Sequence, residues 1–423
     1  MTEERGVIPK SLLEKIITGI MVFWVLFPVL CIIGINTDFL FHPLMVDVTQ
    51  YLGYILLLLS FLVFMKNNRK IELKQDLPFL LLLAMLGWIF ISAIFSPNRQ
   101  IAFFGYSARR EGALMFLAYS GFFCGALSLS KDKYKKIIFN TFLGVAVFQA
   151  ICCFLQYFGI KIVTYGSISS GMFFPSGWKW IASYANPNHF GYYLTMAIIY
   201  AGYNFVLNKG NSKWVYLLSY IILVATLIFN NTLGCFIAVA ATLTIGTIFI
   251  YIKEKATLLK NIILIAVFVI ITVIITLSAN EGIISSLIKT GSEIEEIAQG
   301  EVNGDAGSGR IELWQGALQF IGERPLVGYG PDNLKEKYNQ LGINRSKTHN
   351  EYLQYMAECG IPTLIFYLVA LLILYVRRIK NLKNLTNMQL VFMGIVSAYL
   401  ISALFGNTMY YTVPYFWMAL ALI

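Results

Sequence analysis

The stretch from residue 261 to 279, NIILIAVFVIITVIITLSA, decides the fold. It holds no charged side chain, and at about 1.5 Å per residue a helix of this length matches the ~30 Å apolar layer of a bilayer. A helix that is apolar on every side has no face to turn to water, so it belongs in lipid. Working outward, runs of the same kind recur at 17–36, 48–65, 78–96, 112–129, 137–158, 189–207, 214–229, 235–252, 361–376, 388–406 and 408–423, none with Asp, Glu, Lys or Arg. Together they predict an all-α polytopic membrane protein with about twelve transmembrane helices. The composition agrees: 58% of the 423 residues are hydrophobic and 13% charged, against about 25% charged in soluble domains.

The excess of 32 Lys and Arg over 22 Asp and Glu lies in short runs between apolar stretches, which argues for membrane topology and against a nucleic-acid partner. With the N-terminus inside, Lys66, Arg69, Lys70 and Lys74, then Lys131, Lys133, Lys135 and Lys136, and finally Arg377, Arg378, Lys380 and Lys383 all fall in inner loops. The outer loops, the one long segment apart, carry only Arg99, Arg109, Arg110, Lys161 and Lys179. This asymmetry is the positive-inside pattern. A polar N-terminus ahead of an apolar run too long for a signal-peptide core argues against a cleaved leader. The six Cys, at 31, 124, 152, 153, 235 and 359, have neither disulfide-framework nor zinc-site spacing.

The chain thus divides into helices 1–9 over residues 1–279, a long extracytoplasmic loop over 280–360, and three last helices over 361–423. Apolar residues at 311, 314, 317, 318 and 321 predict a helix over 311–322. A second is expected over 349–359, opened by a Thr348/Glu351 capping box and closed by Gly360, with Pro362 opening the next membrane helix. Between them PLVGYGPDN, 325–333, reads as a turn-rich segment that lines something, and 292–309 as the mobile part of the loop. GMFFPSGWKW at 171–180 reads first as an aromatic belt at the lipid surface, with sugar stacking as the alternative.

The sequence contains no phosphate-binding glycine loop, dinucleotide fingerprint, metalloprotease helix or nucleophile elbow. Spans without ionisable residues also weigh against an ion-coupled transporter. His349 is the only His in the long loop; at a helix start near Arg it would stay neutral and could serve as a base, or simply cap the helix. Arg310 opens the other loop helix, where a cation opposes the dipole unless it faces an anion. Of Arg109 and Arg110, one is expected to pair with Glu111 and leave the other for a phosphate or a lipid headgroup. Asn186, Asn188 and His189 stand where an outer loop meets the sixth span; they could cap it or hold a glycan or phosphate. His42 reads as interfacial, without a role.

Taken together, GSGR at 307–310, Trp314, RPLVGYG at 324–330, HNEYL at 349–353 and Gly360 resemble the O-antigen ligase and O-antigen polymerase superfamily of bacterial envelope glycosyltransferases. NPNHFGYY at 186–193 is similar to that family's polar start of a central helix. The resemblance implies a protein of the bacterial cytoplasmic (inner) membrane that moves a glycan from undecaprenyl diphosphate to an acceptor hydroxyl on the outer face, without metal or cofactor. Its partners would be the lipid-linked donor, a hydroxyl-bearing glycan or lipid-glycan acceptor, and membrane lipids. His349 would be the base and Arg310 would bind the diphosphate. One departure is Leu233, which falls where members often carry an Arg; Arg109 or Arg110 could replace it. Usage rich in Ile, Lys and Asn favours a surface-polysaccharide polymerase over a ligase, and a lipid-linked oligosaccharide flippase is the alternative of a different class.

Overall fold

The computed structural model describes residues 9–34, 43–66, 72–106, 109–157, 182, 184, 186–279, 288, 310–407 and 409–423. The segments read as an aromatic belt at 171–180 and as mobile at 292–309, and His42, lie outside the described residues. The described chain is helical throughout: α1 Lys10–Gly34, α2 Pro43–Lys66, α3 Leu73–Ile94, α4 Arg99–Phe104, α5 Ala113–Leu127, α6 Asp132–Tyr157, α7 Pro187–Leu207, α8 Lys213–Asn230, α9 Leu233–Lys253 and α10 Leu258–Ala279. The long loop contributes α11 Arg310–Glu323, α12 Lys335–Gln340 and α13 Glu351–Cys359, and the chain ends with α14 Ile361–Lys380, α15 Asn387–Ser402 and α16 Val413–Leu420.

Ten helices among the described residues are long and apolar enough to cross a membrane. Two of the twelve expected spans come out shorter. The fourth is the 15-residue α5. The last is an 8-residue helix, α16, entered through a buried turn over 409–412. That last segment is nevertheless fixed at both ends of the bundle: Asn407 hydrogen-bonds His349, and the Ile423 carbonyl accepts from Arg378 at 2.8 Å. Because protein surrounds it, its turns have polar partners that lipid could not supply.

Small residues let these helices approach closely, as membrane bundles require. At the α2/α5 crossing a Cβ on Gly121 would stand 1.8 Å from the Gly53 carbonyl oxygen, so any larger residue would push the helices apart. At the centre lies α7, with 94% of its membrane-length window buried, packed by α6, α8, α9 and α15. At the periphery α10 buries only 22% of its window, which is why its sequence is apolar all round.

The two ends of the bundle differ in charge. At one end basic loop residues tie neighbouring helices together: Arg377 donates to the Lys74 and Gln75 carbonyls, Lys209 pairs with Glu254 at 2.8 Å, and Lys260 donates to the Val206 and Asn208 carbonyls. The other end carries α4 and the whole of 310–360. This region has its own small core of Leu313, Ala317, Phe320, Leu334, Tyr338 and Ala357.

Candidate functional site

The turn 325–333 fixes how the loop sits on the bundle. Trp88, Ser92 and Ser96, spaced one helical turn apart along α3 and just beyond its end, donate to the carbonyls of Leu326, Val327 and Tyr329 at 2.9, 2.5 and 2.7 Å. On its other side the turn's Tyr329 and Gly330 amides donate to the Ala357 and Glu358 carbonyls that end α13. Gly330 has φ +95 and a Cβ there would meet Ser96 Oγ at 2.5 Å, so the backbone needs glycine on both counts. The segment expected to line something is held as a clamp between α3 and α13.

Next to this clamp stands a cluster that sequence reading missed. Lys347 Nζ lies 3.1 Å from Asp332 Oδ1, 3.4 Å from Glu111 Oε2 and 3.6 Å from Glu358 Oε1, and all four side chains are only 2 to 3% exposed. Asp332 also accepts from the Tyr106 amide at 2.7 Å, and Gln354 links Glu358 to the Thr348 amide. Burial pushes the Glu111 and Glu358 carboxyls up to about 7 against the pull of Lys347. For Lys347 burial acts downward, but its three carboxylates outweigh it and hold the ammonium above its ordinary value. The cluster joins three distant segments, and its members flank the expected site residues: Glu111 lies two positions from Arg109, Lys347 two from His349.

His349 does not open a helix. Its φ of +53 places it before α13, whose cap is Asn350, accepting from the Tyr352 and Leu353 amides at 3.0 and 3.1 Å. The expected Thr348/Glu351 capping box is absent because Glu351 turns inward, taking the Tyr355 and Tyr399 hydroxyls at 2.9 and 2.8 Å. Burial, then the guanidinium groups of Arg310, Arg109 and Arg345, push the His349 imidazole down to about 4. Burial, which the sequence did not show, acts on the ring ahead of the expected arginines. Asn407, buried between α15 and α16, meets it twice: Oδ1 accepts from the His349 amide at 2.8 Å, and Nδ2 lies 3.4 Å from Nδ1.

The four arginines separate. Arg110, at φ +49, turns to α2 and pairs with Asp47 at 2.6 Å. The pairing expected with Glu111 is replaced: Glu111 points inward to Lys347 instead. Arg109 is half-buried, acts on His349 and His189, and among the described residues has no carboxylate within ion-pair distance. Arg310, whose pKa burial lowers, is near Tyr192 and Cys235 at the starts of α7 and α9. It thereby reaches the α9 start where Leu233 stands. Arg345 also acts on His349.

The 186–189 group divides as well. Asn186 caps α7, accepting from the Asn188 amide at 2.8 Å. His189 is buried with Nδ1 against the Tyr411 hydroxyl, while Asn188 is half-buried. Capping accounts for Asn186, and His189 lies within electrostatic reach of Arg109 and His349.

No curated protein matches the chain. Residues 218–368 match the family model described as O-Antigen ligase, Wzy_C. The matched stretch runs from α8 into α14 and includes Leu233, Arg310, the 325–333 clamp, Lys347 and His349, while Arg109, Glu111 and Asn407 lie outside it. That stretch, set in an all-α polytopic bundle, is thus similar to the O-antigen ligase family of membrane glycan enzymes.

Proposed function

We propose that this protein is a surface-polysaccharide polymerase of the bacterial inner membrane, moving a glycan from undecaprenyl diphosphate to an acceptor hydroxyl at the outer face. One observation carries this: three guanidinium groups, from Arg310, Arg109 and Arg345, converge on a neutral His349 at the bundle end away from the basic loops. The positive-inside pattern supports an outward position for that end. In the transfer, the acceptor oxygen bonds to the anomeric carbon as that carbon's bond to phosphate breaks, and the electron pair stays with the diphosphate. Guanidinium groups match phosphate geometry and stabilise the charge that develops there. The resemblance gives His349 the acceptor's proton, a role that needs a free ring nitrogen. Purified protein reconstituted with a native lipid-linked repeat should give longer glycan and undecaprenyl diphosphate; translocation of the repeat without either product would instead mark a flippase.

Arg310 and Arg109 would hold the donor diphosphate jointly, with Arg110 engaged by Asp47. Arg310→Gln and Arg109→Gln should each weaken donor binding, and the double variant should depart from additivity by about 0.5 to 3 kcal/mol, as expected of residues sharing one ligand. Arg110→Gln should leave donor affinity unchanged. Strict additivity, or an Arg110 effect as large as that of Arg109, would return these arginines to lipid-headgroup contacts.

Positioning and cation stabilisation by protein side chains suffice for this chemistry, so activity should survive EDTA. Loss in chelator with recovery on adding Mg²⁺ or Mn²⁺ would contradict the metal-independent reading.

A further inference from the structure

The contact between Asn407 and His349 bears on which proton the imidazole carries. A backbone N–H can only donate, so the Asn407 atom 2.8 Å from the His349 amide is the carbonyl oxygen Oδ1. The other end of the same side chain is then the NH₂, which also can only donate, and it lies 3.4 Å from Nδ1. Nδ1 must present its lone pair to it. Burial and three neighbouring guanidinium groups keep the ring neutral, so its single proton sits on Nε2. Asn407 is itself 5% exposed, and its Oδ1 is held by a residue in a left-handed backbone conformation, which leaves the amide little freedom to turn over.

We infer that Asn407 is a positioning residue that fixes His349 as the Nε2–H tautomer, and that the ring acts by giving a hydrogen bond to an anionic phosphate oxygen rather than by taking a proton through Nε2. The substrate half of this statement rests on the glycan-transfer reading above. Within that reading Nε2–H joins Arg310 and Arg109 as a third donor toward the diphosphate. The acceptor's proton then passes to a phosphate oxygen of the departing diphosphate, which gains the electron pair of the broken bond. His349 stays neutral throughout, which suits a ring surrounded by cations. An imidazolium formed by general-base action would face three positive charges at once.

Two measurements test this. In protein labelled with ¹⁵N-histidine, two-bond ¹H–¹⁵N spectra at pH 7 should show the pattern of a neutral Nε2–H imidazole for the signal set that disappears in His349→Gln. In Asn407→Asp a carboxylate can accept from both the amide and Nδ1–H, and the proton should move to Nδ1. Binding of inorganic pyrophosphate is the second readout. The Gln amide can supply an N–H where Nε2–H was but cannot act as a base. His349→Gln should therefore keep pyrophosphate affinity within about tenfold of wild type, whereas His349→Ala should lose about 10- to 100-fold. A wild-type signal with the proton on Nδ1, or a Gln variant as impaired as Ala, would overturn the inference. Wild-type protein that binds no pyrophosphate would defeat the phosphate reading of the site and with it the donor role, while the spectra would still report the tautomer set by Asn407.

Discussion

Replacing His349 by Ala is expected to lower glycan transfer by roughly 10²- to 10³-fold, the loss typical of removing one preorganised donor from a developing negative charge. The fold should survive, because His349 is only half-buried and the polar groups that build α13, namely the Asn350 cap and the Glu351 bonds to Tyr355 and Tyr399, do not include its ring. The Asn407 amide would lose a contact to Nδ1 but keep its bond to the backbone at position 349. Because the interaction strengthens as charge moves onto the diphosphate, the loss should fall mainly on kcat, with a smaller change in KM. Steady-state kinetics with a lipid-linked donor would check this. A variant with wild-type kcat would remove His349 from the reacting centre.

Lys347→Met is expected to destabilise the protein by about 3 to 5 kcal/mol, the range for removing one partner from a buried ion cluster. The volume change is small, so the cost arises from Glu111, Asp332 and Glu358 left in a pocket from which water is excluded. The size of the effect should depend on pH. Glu111 and Glu358 have carboxyls raised to about 7 by burial, so in the wild type they bind protons below that pH and ionise against Lys347 above it. The gap in stability between variant and wild type should therefore widen as pH rises through about 7, where the variant must either retain protons or bury bare charge. Denaturation in detergent at pH 5.5 and pH 8 would measure it. Adding Glu111→Gln, Asp332→Asn and Glu358→Gln to Lys347→Met should recover much of the loss, since a fully neutral cluster avoids the unpaired charges. A single variant as stable as the wild type at both pH values would show that the cluster does not hold these segments together.

Both effects originate in one arrangement. Lys347 binds the segments that carry Arg109 and His349 to each other through Glu111, Asp332 and Glu358, while Asn407 bonds the His349 amide. A residue two positions along the chain from Arg109 and another two from His349 thus share one buried ion cluster.

What the sequence by itself determined was everything that depends on local partition between lipid and water. Runs such as 261–279 have only one stable environment, so hydropathy, period and charge predicted twelve spans, of which ten are membrane-length helices, and the 311–322 helix, found as Arg310–Glu323. His349 and Arg310 could be singled out because each residue type was unusual for its own neighbourhood. The shortened last helix was not legible, since apolar content alone does not say whether a segment faces lipid or other helices. Nor were the pairings. Arg110 goes to Asp47 and Glu111 to Lys347, partners from distant parts of the chain. Asn350 rather than Thr348 caps α13 because Glu351 finds two buried tyrosine hydroxyls, one of them on α15. A charged or hydrogen-bonding side chain buried away from water takes whichever complement the packed helices bring to it. That choice is made across the bundle, by geometry that exists only once the helices have assembled.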